Sequence, residues 1–278
     1  NGDGYNANKV TLTNTATGSI NLTGDESTGI YAKRGLITND GQISVGKKST
    51  GIYIVEDDRS PATATIGAKA TNSSTGVITL GEDSTGMYYK VESKGTNTAI
   101  GGGIINNGKI QSTANNVIAM SFDSPYGSKT MENSATGVID LQGQNSTGMF
   151  ATGTGTYTAK NDGTIKLGES STGIYGVYKA DTASLTGVTN TVKVATTANS
   201  NISLKKGSTG MYLVNAEKLN TAAGGTIQSV TGETNNVGIY AINGVVDVPT
   251  TGTPAEIAEA NAYNNKNTNF KSLTMTNN

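Results

Sequence analysis

The 278-residue chain contains no cysteine, no histidine and no tryptophan. Those absences remove disulfides, thiolate and imidazole metal sites, and any nucleophile pair in which histidine activates serine or cysteine. Charge of one sign is missing as well: 20 Lys and Arg stand against 21 Asp and Glu, so no net field draws the chain toward nucleic acid or an anionic membrane. No apolar run approaches the roughly 18–20 residues that span a bilayer, and the opening NGDGYNANKV lacks the charged-then-apolar pattern of a signal peptide. Aromatics are scarce, at 5%, while Gly reaches 37 residues beside abundant Thr, Ser and Asn. That composition alone would suit disorder, but the ordered recurrence of Ile, Leu and Gly argues for a fold.

What is present is a repeat. GEDSTGMYYK (Gly81 to Lys90) has counterparts in DESTGIYAK, KKSTGIYIV, QNSTGMFAT, ESSTGIYGV and KGSTGMYLV. Aligned on the aromatic position these give Tyr31, Tyr53, Tyr88, Phe150, Tyr175, Tyr212 and Tyr240, with a degenerate copy, NNVIAM, whose Met120 takes the aromatic place. Ahead of each lies a second word, Gly-x-Ile-x-Leu/Val, as in GSINL (Gly18 to Leu22), GVITL (Gly76 to Leu80) and GTIKL (Gly163 to Leu167). Its alternation marks a half-buried strand. The NDG and NNG steps before it (Asn39 to Gly41, Asn106 to Gly108, Asn161 to Gly163) suit a sharp turn at positive φ. In the second word's partner, Thr28, Ile30 and Ala32 are expected inward and Gly29, Tyr31 and Lys33 outward. A third alternating stretch, clearest in KVTLTN (Lys9 to Asn14), leads back to the next Gly.

Three short strands per repeat, with tight corners and no obligatory helix, describe one coil of a parallel β-helix. The expected fold is all-β, with about eight or nine coils stacked into a rod on the order of 40 Å long, and side loops. One coil cannot bury its few apolar side chains, so like must stack on like. Ile20, Ile43, Ile78, Ile110, Ile139, Ile165, Ile202 and Ile227 are expected in one inner ladder, with Leu22, Val45, Leu80, Leu141, Leu167 and Leu204 beside it. Residues 1–278 read as a single segment of a longer array, because VTLTNT near the start matches LTMTNN at the finish.

The two words together resemble the passenger repeats of large autotransporter adhesins, especially the fusobacterial type, from about Val10 to Tyr240. The resemblance implies a right-handed β-helix on the bacterial outer surface, exported through a C-terminal β-barrel outside this sequence, and adhesion to host cells or other bacteria. The freedom from cysteine suits passage through an oxidising periplasm. The implied partner is a surface receptor, protein or glycan, met by a monomer; no nucleic acid is expected, and contact with the membrane only through the barrel. The repeat marks scaffold positions, so receptor-binding residues do not carry over.

Recognition is expected where the repeat breaks. VEDDRSPA (Val55 to Ala62) offers Asp57, Asp58 and Arg59; SFDSPYGS (Ser121 to Ser128) offers Phe122 and Tyr126; the excursion from Gly176 to Asn190 offers Tyr178 and Lys179. Each is equally readable as a solvated corner. A last insertion, residues 242–267, carries TPAE ahead of IAEANAY and predicts a short helix over 254–263. Glu56, Asp57 and Asp58 lack the spacing of a cation loop and are expected to stay solvated, so no metal or cofactor is expected. The outward aromatic row could hold sugars, or merely shield the sheet. An adhesive stalk competes with a β-helical polysaccharide lyase or hydrolase, which needs clustered carboxylates. The outward row Asn21, Ser44, Thr79, Asp140, Lys166 and Ser203 holds only one, which favours the stalk and no catalysis.

Overall fold

The computed structural model describes residues 10–57, 68–92, 102–123, 129–153, 157–178, 192–214, 219–242 and 275–277. Within them the chain forms a right-handed parallel β-helix of three sheets, with nine, eight and eight strands. The first sheet runs from Thr11–Asn14 to Met275–Asn277, the second from Ser19–Leu22 to Thr226–Ser229, and the third from Thr28–Lys33 to Val237–Ile242. Each strand pairs in parallel with the strand one coil before and one coil after. The helix predicted over 254–263 lies outside the described residues.

The second sheet is the simplest. Ile20, Ile43, Ile78, Ile110, Ile139, Ile165, Ile202 and Ile227 stand in consecutive register. The six central ones are fully buried, and Ile20 and Ile227, in the first and last coils, pack partly covered against the core. Beside them run Leu22, Val45, Leu80, Leu141, Leu167 and Leu204, interrupted by Ser112. Its buried hydroxyl donates to the Leu80 carbonyl at 2.8 Å, so the polar substitute keeps a partner.

The first sheet contributes a buried polar column. Asn14, Asn39, Asn72, Asn106 and Asn133 each donate Nδ2 to the Oδ1 of the asparagine one coil on, at 2.8 Å throughout, and Asn161 ends the series by donating to Ser200 Oγ at 2.5 Å. The second amide proton reaches a corner carbonyl, such as that of Gly41, Gly76 or Gly137. Both donors and the acceptor of each interior amide are thereby used, which is the condition for burying it.

This column explains the glycines of the first corner differently from the sequence reading. Gly41, Gly108 and Gly163 do not adopt positive φ. A Cβ on any of them would lie 2.2 to 2.3 Å from a carbonyl oxygen of the preceding coil. They are glycines because the coils approach too closely for a side chain. The corner also alternates: longer turns at Thr15–Gly18, Ser73–Gly76, Ser134–Gly137 and Thr197–Ser200 interleave with shorter ones at Asp40–Gly41, Asn107–Gly108, Asp162–Gly163 and Gly224–Gly225. Thr75 and Thr136 of longer turns donate Oγ1 at 2.8 Å to the Asp40 and Asn107 carbonyls of the shorter turns beneath. The structural unit is therefore a pair of coils.

Apart from Gly225 in the last of the shorter turns, positive φ appears instead at the second corner. Glu26, Lys48, Asp83, Asn116, Asn145, Ser170, Gly207 and Asn235 all take the left-handed conformation, and all precede the serine position of the repeat. In that conformation the N–H turns along the rod: Glu26 donates to Lys47, Lys48 to Glu82 and Asn116 to Gln144. One inter-coil hydrogen bond per corner offsets a conformation that only Gly adopts freely. Next to it the serines form a second column, in which Ser49, Ser84, Ser171 and Ser208 accept from the serine N–H one coil earlier or, at Ser146, from Val117.

In the third sheet the expected phase holds for Ile30 and Ala32 but not for Thr28 and Gly29. Thr28 is exposed, and its counterparts are half-covered. Gly29 faces inward, where a Cβ would meet the Gly51 carbonyl at 2.5 Å and Ile43 at 3.0 Å; Gly51, Gly86, Gly148, Gly173 and Gly210 repeat this. The alternation slips by one between Gly and Ile because the chain is still leaving the corner. In the degenerate copy Met120 registers with Met87 and Met149, and Ser121 with Tyr88 and Phe150. Met120 is thus a core residue, and Ser121 holds the aromatic position.

The asparagine column makes a quantitative demand. Asn106→Ala strips a donor from Asn133 Oδ1 and an acceptor from Asn72 Nδ2 inside the rod, and is expected to destabilise it by about 2–4 kcal/mol. Asn14→Ala, at the first rung, disturbs one neighbour and is expected to cost about half as much. Urea denaturation followed by circular dichroism measures both; equal midpoints for the two variants would show that continuity of the column contributes nothing.

Candidate functional site

The three corners differ in what they tolerate. The first two hold short turns, of two or four residues at the first and four to seven at the second. The third, from the third sheet back to the first, spans Lys33 to Leu36 in one coil but Asp57 to Lys69, Glu92 to Gly103, Asp123 to Lys129 and Tyr178 to Val192 in others. Its variable connections all depart from one edge of the rod, because the flanking strands remain in register whatever lies between them.

The residues singled out for recognition divide on this geometry. Asp58, Arg59, Tyr126 and Lys179 lie outside the described residues, in these connections. Asp57 and Tyr178 close the strands Thr50–Asp57 and Thr172–Tyr178 at the variable edge. Phe122 is a correction. It is 1% exposed, in the strand Ile118–Asp123, and registers with Tyr89 and Ala151. Its ring stacks on Tyr89 (5.2 Å, 7°) and meets Tyr157 (5.7 Å, 47°), which comes from the first sheet into the space left by the small Ala151. A ring so enclosed is a core residue and cannot contact a partner.

Glu56 is the second correction. It continues the inward phase of Ile52 and Ile54 and is buried, whereas a solvated acid was expected. Lys129, inward with Met131 and Asn133, supplies its counter-charge, and Tyr89 donates its hydroxyl to the same carboxylate. Burial, and next the Glu56 charge, push the Tyr89 hydroxyl far above the ordinary tyrosine range, so it remains a donor. The inward parity of Ile52-Ile54-Glu56 and of Lys129-Met131-Asn133 was the available signal. For Phe122, read as part of the loop SFDSPYGS, the signal is that the equivalent strands Thr85–Glu92 and Thr147–Gly153 also run past the aromatic position.

The opposite side of the third sheet carries the aromatic row. Tyr31, Tyr53 and Tyr88 form one stack and Phe150, Tyr175, Tyr212 and Tyr240 another, with centroids 4.9 to 5.3 Å apart. Ser121, 9% exposed, separates them. Rings directed along the rod at one another, as in the near-parallel pairs Tyr53–Tyr88 (15°) and Tyr212–Tyr240 (19°), turn edges and hydroxyls outward. Stacking a sugar needs an open ring face, which these two pairs withhold where they face each other, whereas Tyr31–Tyr53 (69°), Phe150–Tyr175 (58°) and Tyr175–Tyr212 (85°) meet tilted or edge-on. Burial by neighbours raises the Tyr53 and Tyr175 hydroxyls and lifts Tyr88 to about 12, with the Asp123 carboxylate adding to the last. Lys33 and Lys90 approach Glu92 at 3.8 and 3.4 Å on this face; such exposed pairs contribute little.

On the second sheet the outward row reads Asn21, Ser44, Thr79, Gln111, Asp140, Lys166, Ser203 and Gln228, with Asp140 near Lys109 at 3.6 Å. Among the described residues no three acidic side chains gather as metal ligands would. A recess of about 360 Å³ lined by Leu12, Asn14, Ile20, Ile30 and Tyr31 lies at the first described coil. No family model, curated protein or solved structure matches the chain.

The aromatic row yields two expectations. Tyr88 lies opposite Phe150 across two strand spacings, roughly 9–10 Å, which leaves space for one ring. Ser121→Tyr should join the stacks and raise stability by about 0.5–1.5 kcal/mol, seen as a higher urea midpoint; a lower one would mean that the flanking rings already fill the gap. With its folded value raised above the unfolded one, Tyr88 stabilises the rod fully below pH 10, and that contribution is lost as pH rises toward 12. Absorbance titration of tyrosinate should show a component near pH 12 that disappears in Tyr88→Phe.

Proposed function

We propose that this segment is an adhesive stalk: a surface-displayed passenger of autotransporter type whose variable edge meets a receptor on host cells or other bacteria. The observation that carries this reading is that the long excursions leave from one corner, while the other two keep short turns beside hydrogen-bonded columns. A scaffold so arranged can change its connections coil by coil without disturbing the core. The faces repeat the same small polar positions at every level and give a partner little to distinguish, whereas the edge differs at each height. The alternative, a polysaccharide-cleaving β-helix, finds a single carboxylate in the outward row of the second sheet.

Glu56 and Ser121 to Asp123 belong to strands, so a test must spare them. Replacing residues 58–67, 93–101, 124–128 or 179–191 by short Gly-Ser connections should leave β content and melting nearly unchanged. Beads coated with at least one such variant should lose attachment to cultured epithelial cells or to a bacterial panel relative to the unaltered segment. Full attachment by every folded variant would reduce the segment to a spacer. New reducing ends or unsaturated products from host or plant polysaccharides would replace the adhesive reading with an enzymatic one.

A further inference from the structure

Glu56 and Lys129 are 73 positions apart in the chain and meet inside the rod. Glu56 is 2% exposed and Lys129 3%. The Lys129 Nζ stands 2.8 Å from both carboxylate oxygens, and the Tyr89 hydroxyl donates to Oε2. The scaffold does not call for this pair. One coil on, the rung of Glu56 is the buried Val91; one coil on from Lys129 it is the buried Tyr157. An ion pair in place of apolar side chains gives up several kcal/mol per ion in desolvation, so as a stabilising device it is a poor choice.

We propose that Lys129 and Glu56 condense into an amide, an intramolecular isopeptide bond that ties the second coil to the fifth, with Tyr89 as the catalytic acid. The Lys129 proton passes to the carboxylate across the 2.8 Å contact and leaves a carboxylic acid beside an amine. The amine then attacks the carboxyl carbon. Tyr89 gives its proton to the departing oxygen and recovers one from the nitrogen, ending as it began. One C–N bond forms, one C–O bond breaks, and water leaves; nothing is oxidised or reduced.

Three features of the site favour that outcome. The reacting groups are held together by the fold, which supplies a large effective molarity. The Tyr89 ring is clamped against Phe122, so its hydroxyl is aimed before reaction. The product replaces two buried charges with a neutral amide and removes their desolvation cost. In a chain without cysteine this is also a covalent cross-link that the oxidation state of the surroundings cannot undo. The inference stands on the buried cluster alone and is independent of the adhesive reading.

Mass spectrometry of the denatured wild-type protein tests it. The expected result is an intact mass lower than the sequence mass by one water, and a branched tryptic peptide joining the Glu56 segment to the Lys129 segment. Succinimide formation at Asp40–Gly41 or Asp162–Gly163 loses the same water, so the branched peptide decides, and Lys129→Met should abolish it. Tyr89→Phe keeps the ring and should slow cross-linking roughly a hundredfold; an unchanged time course would remove Tyr89 from the reaction. Recovery of Glu56 and Lys129 only in linear peptides from folded wild-type protein overturns the proposal, whether or not any variant folds.

Discussion

Everything in this rod follows from the closeness of parallel strands in register, about 4.8 Å from one coil to the next. At that separation each side chain's nearest neighbours are the side chains at the same position above and below. A buried polar group therefore has its own copy as its nearest available partner. Asparagine satisfies this condition because its amide is both donor and acceptor, and the column from Asn14 to Asn161 uses both ends. Glycine answers the same closeness at the corners, where any Cβ would enter the neighbouring backbone.

The stacking also sets what can vary. Substitutions within a ladder are absorbed when the substitute keeps the column's chemistry. Ser112 in the leucine row donates to the coil below, and Ala151 yields its volume to Tyr157. Length changes at the first corner stay at two residues against four and leave the asparagine column intact, whereas the long excursions collect at the third. Longer strands, three neighbouring buried aromatics and the Glu56–Lys129 pair sit beside three consecutive departures of this kind, where the repeat constrains the core least.

Alternation was the most legible signal, and its errors were errors of phase. The isoleucine ladder could be read directly, since Gly-x-Ile-x-Leu fixes the parity of every strand in the second sheet. In the third sheet the degenerate word NNVIAM, aligned one residue short, puts Met120 in the aromatic row, and Phe122, read as part of the loop SFDSPYGS, belongs to the same strand. A period of two has no tolerance for a slip of one. Glu56 was misread for another reason: charge is a strong prior for exposure, and only Lys129, 73 residues on, removes it.

The sequence by itself determined the architecture: three strands per coil, the inner isoleucines, the outer aromatics and the places where the repeat breaks. It could do so because each coil repeats a local pattern, and local pattern is what a sequence displays. Only the tertiary structure decided which asparagines pair, why the corner glycines are required, that the turns alternate coil by coil, and that an acid, a lysine and a tyrosine from three coils share one buried site. Those are contacts across the stack, between residues some 25 to 73 positions apart, and no local pattern encodes them.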